Sequence, residues 1–381
     1  MINTKRILAF LLMSVVLITC AAGLTACGGN TPGTSSDETS DLFTATSADD
    51  VSSEMTDLTT SEAASDTASA AQTTSAAVNT NTSQPTAAAS QAAAKPTGAT
   101  TPQGKKYEPA AKSLSGTVTF SGSTSVYPAV AALREAFIKL YPNVKVSITN
   151  VTGSGAGLTD ANAKRVSFGM RSSAWDQKTA DANPNITPFS IALDGVAIVV
   201  NKSNTAVGNI TNDQLAKLYK IGPEITNWNQ IGGANLAIAA VSREAGSGTR
   251  DCFETVIPGL KGTAYDSQGN VKNISSSTDA VKTYVKGNNQ AIGYMSSGSV
   301  DDSVKALTFE GVVANKANVQ NGSYTFQRPF LLLFNNTKAL SDAEKEFLRF
   351  IYSKEGQTII DKGGFVDLAQ GSIDAELAKI K

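Results

Sequence analysis

The pattern of apolar and polar residues divides the chain into a long polar stretch and, after it, a part in which apolar residues recur at regular spacing. From residue 28 to about residue 104 the chain is built of Ser, Thr, Ala, Gln and Asp with scattered Pro, and it has almost no large apolar side chain. Such a stretch cannot bury enough surface to offset its ordering entropy, so we predict a disordered Ser/Thr/Ala-rich tether over 27–112. Short apolar runs and helical periods follow, and they predict a folded part.

The folded part opens with two units of strand, turn and helix. Gly116–Phe120 is a β-type run, and Val126–Tyr141 carries apolar residues at helical spacing until Pro142 closes it. The second unit has a strand over Val144–Thr149, a Gly-rich turn and a helix from Leu158. Strands that alternate with helices indicate parallel sheets that are covered on both faces. We therefore predict an α/β fold.

The alternation continues to the end of the chain. Apolar runs of the kind found in buried strands cover 191–200, 236–242 and 330–334. Helices are predicted over 211–219, over 249–256 and from residue 341 to residue 352, and Thr211 is a predicted N-cap.

The N-terminus has the features of an export signal. Lys5 and Arg6 precede the apolar run Ile7–Ile18, which is too short for a membrane span of about 20 apolar residues. Leu24-Thr-Ala-Cys27 follows, and it resembles a bacterial lipobox. Leu17-Ile-Thr-Cys20 is a second possible box, but it lies within the apolar region, so Cys27 is the better-placed acceptor. We predict a lipoprotein signal peptide over 1–26 and a palmitate-type lipid anchor on Cys27, which would hold the protein at the extracellular face of the cytoplasmic membrane.

Composition narrows the function classes. The chain has no His, which excludes Ser-His-Asp triads, Cys-His pairs and His-ligated metals. Catalysis by carboxylates alone stays open on composition, and we predict no catalytic residue, no metal and no cofactor. Cleavage before Cys27 leaves Cys252 as the second thiol of the mature chain, so with Cys27 acylated no intramolecular disulfide is available, and we predict a buried Cys252. The acidic tether hides a folded part with about five net positive charges. That balance suits a small anion and is too weak to indicate nucleic acid.

Three strand-to-helix turns share a composition that suits an anion. Each places hydroxyls and open backbone amides at a helix N-terminus, where unpaired N–H groups and the helix dipole attract negative charge. Arg243 stands four residues before the third turn, and its guanidinium can offer two parallel donors to a tetrahedral oxyanion. The three turns are Ser123-Thr124-Ser125, Ser154-Gly155-Ala156-Gly157 and Ser247-Gly248-Thr249.

The order of these motifs resembles the phosphate-binding proteins of bacterial ABC importers, the PstS family. The resemblance covers 115–381, and 243–250 is its most specific element. The matching stretches are Gly122-Ser-Thr-Ser125, Gly153-Ser-Gly-Ala-Gly157, Ser167-Phe-Gly-Met-Arg-Ser172, Leu193-Asp-Gly-Val-Ala-Ile-Val-Val-Asn201, Ile225-Thr-Asn-Trp228, Arg243-Glu-Ala-Gly-Ser-Gly-Thr-Arg250, Arg328-Pro-Phe330, Ser353-Lys-Glu-Gly-Gln357 and Gly363-Gly-Phe-Val366.

The resemblance implies a fold like that of the type II periplasmic binding proteins. Two α/β lobes, over 113–200 with 296–381 and over 201–295, would be joined by two hinge crossings near Asn201 and Tyr294. The lobes would close on inorganic phosphate and dock on the permease subunits of the importer, as a monomer. The implied phosphate-binding residues are Ser123, Thr124, Ser125, Ser154, Ser172, Arg243, Ser247, Gly248 and Thr249.

One position departs from the family pattern. The resemblance implies an Asp after the Phe-Gly stretch, which would accept the proton of monohydrogen phosphate and repel sulfate. Arg171 or Ser172 holds that place here, and Asp194 or Asp160 are the alternative acceptors. The sequence therefore predicts an oxyanion more firmly than it predicts phosphate.

Other functions remain open at the level of sequence. The same fold could serve as an oxyanion sensor or scavenger that tolerates sulfate. A secreted phosphohydrolase would need metal-binding acid clusters, which the sequence does not show, and an adhesin is suggested by the long tether alone. The tether has a reach on the order of 45 to 50 Å, which is most useful in a thick-walled, single-membrane bacterium.

Overall fold

Strands and helices alternate along the folded part of the chain. The computed structural model describes residues 101–110 and 113–380. Its strands are β1 (Gly116–Gly122), β2 (Val144–Ile148), β3 (Phe168–Arg171), β4 (Ile186–Asn201), β5 (Asn209–Ile210), β6 (Ala239–Arg243), β7 (Val271–Ser275), β8 (Ala291–Ser296), β9 (Val304–Ala306), β10 (Thr308–Phe309) and β11 (Gln327–Asn335). Its α-helices are α1 (Tyr127–Leu140), α2 (Ser154–Asn162), α3 (Gln177–Ala182), α4 (Asn212–Tyr219), α5 (Gly248–Val256), α6 (Tyr265–Gln268), α7 (Thr278–Gly287), α8 (Lys316–Gln320), α9 (Asp342–Ile351), α10 (Lys354–Lys362) and α11 (Gln370–Leu377).

One mixed sheet carries nine of the described strands. Its order is β2-β1-β3-β11-β4-β8-β6-β7, and β9 also pairs with β4. The outer pairs are parallel, namely β1 with β2 and β3, and β6 with β7 and β8. The central strands β11 and β4 are antiparallel to each other and to their neighbours β3 and β8. Parallel pairs on both sides put two sets of strand-to-helix turns along the sheet, which confirms the predicted α/β class.

Two apolar clusters form the main cores. In the first, which lies against β1, α1 and α9, the rings of Phe137 and Phe347 meet edge to face with centroids 4.9 Å apart. In the second, which lies against β8, α4 and α5, Phe253 and Tyr294 stack at 4.0 Å. A smaller cluster around Val199 covers the opposite face of the second half of the sheet. The two main cores are the basis for two lobes.

The long strands β4 and β11 connect the two cores. Along β4, Ala192 is the last residue buried in the first core, and Val196 is the first residue buried in the second. The chain returns between Phe326, which lies in the second core, and Phe330, which lies in the first. The crossings therefore lie within 193–195 and 327–329, and these two segments pair with each other.

The position of the crossings differs from the prediction near Asn201 and Tyr294. Tyr294 lies inside the second core, and Leu307 and Tyr324 belong to that core as well, beyond the predicted end of the second lobe at residue 295. The reason is that β4 is buried through both cores, so its apolar pattern carries no mark where it passes from one to the other.

Local sequence signals explain the helix ends. Thr211 caps α4 and Ser341 caps α9, each through a capping box in which the side chain three residues later returns the hydrogen bond. The predicted N-cap at Thr211 is confirmed, and the predicted helix that opens at residue 341 has Ser341 as its N-cap. Helix α2 begins at Ser154, four residues before the predicted start, because Gly153 with φ of 124° makes the sharp entry that a side chain would strain.

Residues 101–110 lie within the range predicted as tether, yet they pack on the folded part. The Tyr107 hydroxyl donates to Glu346 Oε1 at 2.6 Å, and the Tyr107 backbone N–H donates to Glu355. Burial would raise the pKa of Glu346, but hydrogen bonds from Tyr107, Tyr141 and the Ala110 backbone outweigh it and lower that pKa. Residues 101–110 therefore belong to the folded structure, although they precede the first strand.

Within the part of the chain that the structure describes, we find no helix whose length and apolar character would let it cross a membrane. The predicted signal peptide, the acceptor Cys27 and most of the tether lie outside the described residues.

Candidate functional site

Four helices point their N-termini at one place between the two cores. Helix α1 packs in the first core, and α2 lies on the same half of the sheet, where Ala161 packs against Leu331 and Leu333 of β11. Helices α5 and α7 lie on the second half of the sheet. The residues that contribute hydroxyls here lie at or just before the first turn of a site helix, except Ser172, which directly follows β3. Each parallel strand ends at this edge of the sheet, so the turns that follow the strands meet there. Helix N-termini present unpaired N–H groups and a positive dipole end, so the place favours an anion.

Three hydroxyls from the half of the sheet that carries the first core form one half of the site. Ser123 Oγ donates to Ser172 Oγ at 2.8 Å, and Ser172 Oγ lies 3.3 Å from Ser154 Oγ. The Ser172 backbone N–H also donates to Ser154 Oγ at 3.0 Å. All three side chains are at most 2% exposed. The structure thus brings Ser172, and not Arg171, into the position that departs from the family pattern.

Hydroxyls from the second half complete the cluster. Ser125 Oγ lies 3.1 Å from Thr249 Oγ1 and 3.0 Å from Thr278 Oγ1. The backbone also joins the halves, since the Gly155 N–H donates to the Gly246 carbonyl at 2.9 Å. The two sides of the site are therefore in direct contact, as in a closed cleft.

Arg243 brings a buried positive charge to this cluster. It ends β6 and is 1% exposed. Its Nε and Nη2 each donate to a carboxylate oxygen of Glu244 at 2.7 Å, and Nη2 also reaches Thr124 Oγ1 at 3.2 Å. Nη1 is directed to Thr249 Oγ1 at 3.4 Å. A guanidinium that is oriented by its neighbour in this way can donate to an oxyanion without losing much side-chain entropy.

A second arginine, Arg328 on β11, reaches the same cluster. Its Nη1 donates to Thr249 Oγ1 at 2.7 Å and to the Ser172 carbonyl at 3.0 Å. Its Nε and Nη2 donate to Asp194 Oδ2 at 3.1 and 2.9 Å, and Ser296 Oγ donates to Asp194 Oδ1 at 2.7 Å. Arg328 and Thr278 are the residues that sequence reasoning missed as members of the site. The Arg328-Pro-Phe330 motif was a signal that could have identified Arg328.

The remaining predicted residues have distinct places. Gly248 begins α5, and a side chain there would overlap Ser154 and Ser172. Ser247 is the N-cap of α5 and accepts from the Arg250 N–H at 3.3 Å. All nine predicted site residues therefore lie at the four helix N-termini or on the adjoining strand ends, although the Ser247 hydroxyl is engaged in capping.

The carboxylates considered as proton acceptors are engaged elsewhere. Asp160 pairs with Arg165 at 2.6 Å, at the far end of α2 from Ser154. Asp194 is fully buried, and burial raises its pKa while the Arg328 guanidinium opposes that rise. Both oxygens of Asp194 already accept hydrogen bonds from Arg328 and Ser296.

Neither a metal centre nor a reactive thiol is evident in the described chain. Among residues 101–110 and 113–380 no group of three or more His, Cys, Asp or Glu could hold a metal ion. Burial raises the pKa of the Cys252 thiol to about 12, although the charge of Arg328 opposes it. Cys252 is buried, as predicted, and its thiol stays protonated and inert at neutral pH.

Comparison with known families and proteins agrees with this geometry. The family model described as "PBP superfamily domain" matches residues 67–355. The phosphate-binding protein PstS of Staphylococcus epidermidis is 30% identical over 268 residues, which cover 66% of this chain and 79% of that protein. The protein of the same name from Bacillus subtilis is 30% identical over 259 residues, which cover 66% and 81%.

Solved structures give the same result. A Clostridium perfringens protein, assigned to phosphate ABC transport as its substrate-binding component and solved with bound phosphate, is 38% identical with a TM-score of 0.61. It matches 67% of this chain and 100% of its own. An ABC-type phosphate transport receptor from Vibrio cholerae is 36% identical with a TM-score of 0.55, and 66% and 100% are covered. These relatives are solute-binding proteins and not enzymes, and this chain is likewise not an enzyme. It belongs to the PstS family of phosphate-binding proteins, within the PBP superfamily.

Proposed function

We propose that this chain captures inorganic phosphate between its two lobes and delivers it to the permease subunits of an ABC importer. The observation that carries the proposal is the buried cluster of hydroxyls at four helix N-termini with the guanidinium of Arg243 beside it. Phosphate is the solute named for the relatives in both comparisons.

The chemistry of the cluster suits a tetrahedral oxyanion. Serine and threonine hydroxyls can each donate one hydrogen, and a bound phosphate would replace the present hydroxyl–hydroxyl bonds with shorter bonds to charged oxygens. The charge of Arg243 is balanced by Glu244, so helix dipoles and backbone N–H groups would supply much of the remaining attraction. Such dipoles are fixed by the fold and need little reorganisation on binding.

Binding would be coupled to closure of the lobes. The hydroxyls of Ser123, Ser154 and Ser172 belong to the first lobe, whereas Thr249 and Arg243 belong to the second. A phosphate held by both would favour the arrangement in which the lobes are in contact, about the crossings on β4 and β11. We take the permease to recognise this closed form.

Calorimetric titration of the purified protein, dialysed free of phosphate, tests the proposed ligand. We expect saturable phosphate binding with a Kd at or below the micromolar range and one anion per chain. The absence of heat with phosphate, while another solute binds, would overturn the assignment.

The same sample in multi-angle light scattering should have the mass of a monomer, and a dimer mass would contradict the proposed monomer.

We also propose that Cys27 carries the lipid anchor at the extracellular face of the cytoplasmic membrane of a single-membrane bacterium. The Leu24-Thr-Ala-Cys27 motif and the polar tether after it support this proposal. We expect Cys27→Ser to move the protein from the membrane fraction to the soluble fraction, and Cys20→Ser to leave it on the membrane. Equal membrane retention of both variants would exclude Cys27 as the anchor.

A further inference from the structure

The pair formed by Arg328 and Asp194 occupies a special place in the fold. The two residues are directly opposite each other in the register of β11 and β4, at the point where these strands pass from one core to the other. Both side chains are at most 1% exposed, and the guanidinium donates twice to one carboxylate oxygen. A buried pair of this kind contributes little net stability, so a role beyond stability is worth seeking.

The guanidinium has one nitrogen that the carboxylate does not use. Nη1 of Arg328 is directed away from Asp194 and donates to Thr249 Oγ1 and to Ser172, one from each side of the site. Thr249 Oγ1 is also the atom toward which Arg243 Nη1 points. Two buried guanidiniums are thus directed at the same hydroxyl from two different strands.

That convergence determines the proton positions in the cluster. Guanidinium nitrogens can only donate, so Thr249 Oγ1 accepts from Arg328. With its lone pairs turned to the arginines, Thr249 directs its hydrogen to Ser125, and Ser125 directs its own to Thr278. Two like charges directed at one hydroxyl repel each other, and an anion between them would relieve that repulsion.

We propose that Arg328 is a second anion-binding cation of this site, and that Asp194 is its buried counter-ion and not an acceptor of a phosphate proton. The inference rests on the proposed function and extends it. Asp194 cannot readily accept from a ligand because Arg328 and Ser296 occupy both of its oxygens. The site then holds two guanidiniums, each neutralised by its own carboxylate, and no carboxylate that requires a protonated ligand.

The two partners of the pair should respond to mutation in opposite ways. We expect Arg328→Gln to weaken phosphate binding about 10- to 100-fold, because the variant loses one charge-assisted hydrogen bond to a buried anion. We expect Asp194→Asn to keep the phosphate affinity within about threefold of the wild type, or to improve it, because the asparagine side-chain oxygen can still accept from Arg328 and the positive charge remains. A purely structural pair would show similar losses for both variants, since each breaks the same interaction.

Calorimetry with phosphate and with sulfate, together with thermal unfolding of the ligand-free proteins, tests the proposal. The matched control is Arg165→Gln. Arg165 is an exposed arginine that pairs with Asp160 of α2, and its variant should bind phosphate like the wild type. If Arg328→Gln does not fold, the double variant Arg328→Gln/Asp194→Asn avoids the unpaired buried carboxylate and should show the same loss.

The outcomes separate this inference from the proposed function. A wild type that binds no phosphate contradicts the proposed function. A wild type that binds phosphate, with an Arg328 variant of equal affinity, overturns this inference alone. A tenfold or larger change in the ratio of sulfate to phosphate affinity in Asp194→Asn would also overturn it, because it would show Asp194 to be the proton acceptor.

Discussion

Replacing Arg243 by alanine is expected to weaken phosphate binding by about a thousandfold. Two charge-assisted hydrogen bonds to a buried anion are worth about 4 kcal/mol together, and each 1.4 kcal/mol is a factor of about ten in Kd. The variant also leaves Glu244 without the guanidinium that neutralises it, so a negative charge would face the incoming anion. Loss of attraction and gain of repulsion act in the same direction.

Titration calorimetry of Arg243→Ala and of the control Arg165→Ala measures this effect. Arg165 is an exposed arginine on the first lobe, and its removal should leave the Kd unchanged. The double variant Arg243→Ala/Glu244→Ala separates the two contributions, since it removes the repulsion and should recover part of the loss. A Kd for Arg243→Ala within about threefold of the wild type would exclude Arg243 from the site.

Local chemistry made much of this site predictable from the sequence. Within each turn the hydroxyl-bearing residues and glycines lie close together in the sequence. A Gly-rich turn after an apolar run also shows where a strand leads into a helix. The N-caps Thr211 and Ser341 were predictable for the same reason, because a cap is decided by residues within one helical turn. The clustering of Ser123, Ser154 and Thr249 follows once parallel strands are assumed.

Long-range pairing was not predictable in the same way. Arg328 lies 134 residues from Asp194, and their contact depends on β11 returning antiparallel beside β4. Within a short window Arg328 is marked by the Arg328-Pro-Phe330 motif alone, and that motif does not show that the side chain reaches the site. Thr278 was missed because it follows Ser277, which has the sequence of an ordinary N-cap of α7. The preceding strand β7 alternates partly buried and exposed residues, so it does not mark a buried site. The crossings were misplaced because burial on both faces removes the pattern that would mark them.

The glycine at the start of α5 gives the second large expected effect. A Cβ on Gly248 would lie 2.4 Å from Ser154 Oγ, 2.7 Å from Ser172 Oγ and 2.8 Å from the Ser172 carbonyl carbon. The serine hydroxyls can rotate, but the backbone carbon cannot, so the two sides of the site would have to separate. We expect Gly248→Ala to weaken phosphate binding about 100-fold or more, since overpacking of this kind costs about 3 kcal/mol.

The same substitution should leave the ligand-free protein as stable as the wild type or slightly more stable. Gly248 has no positive φ and stands at the first position of α5, where alanine favours the helix. Calorimetry, thermal unfolding and small-angle scattering with and without phosphate distinguish the two effects, and Gly208→Ala, with open space around its Cβ, is the control. Compaction by phosphate in the wild type and in Gly208→Ala, but not in Gly248→Ala, would tie affinity to closure of the lobes. Wild-type affinity in Gly248→Ala would mean that phosphate is held without the contact between Gly248 and Ser172, and that the bound form is more open than the structure described here.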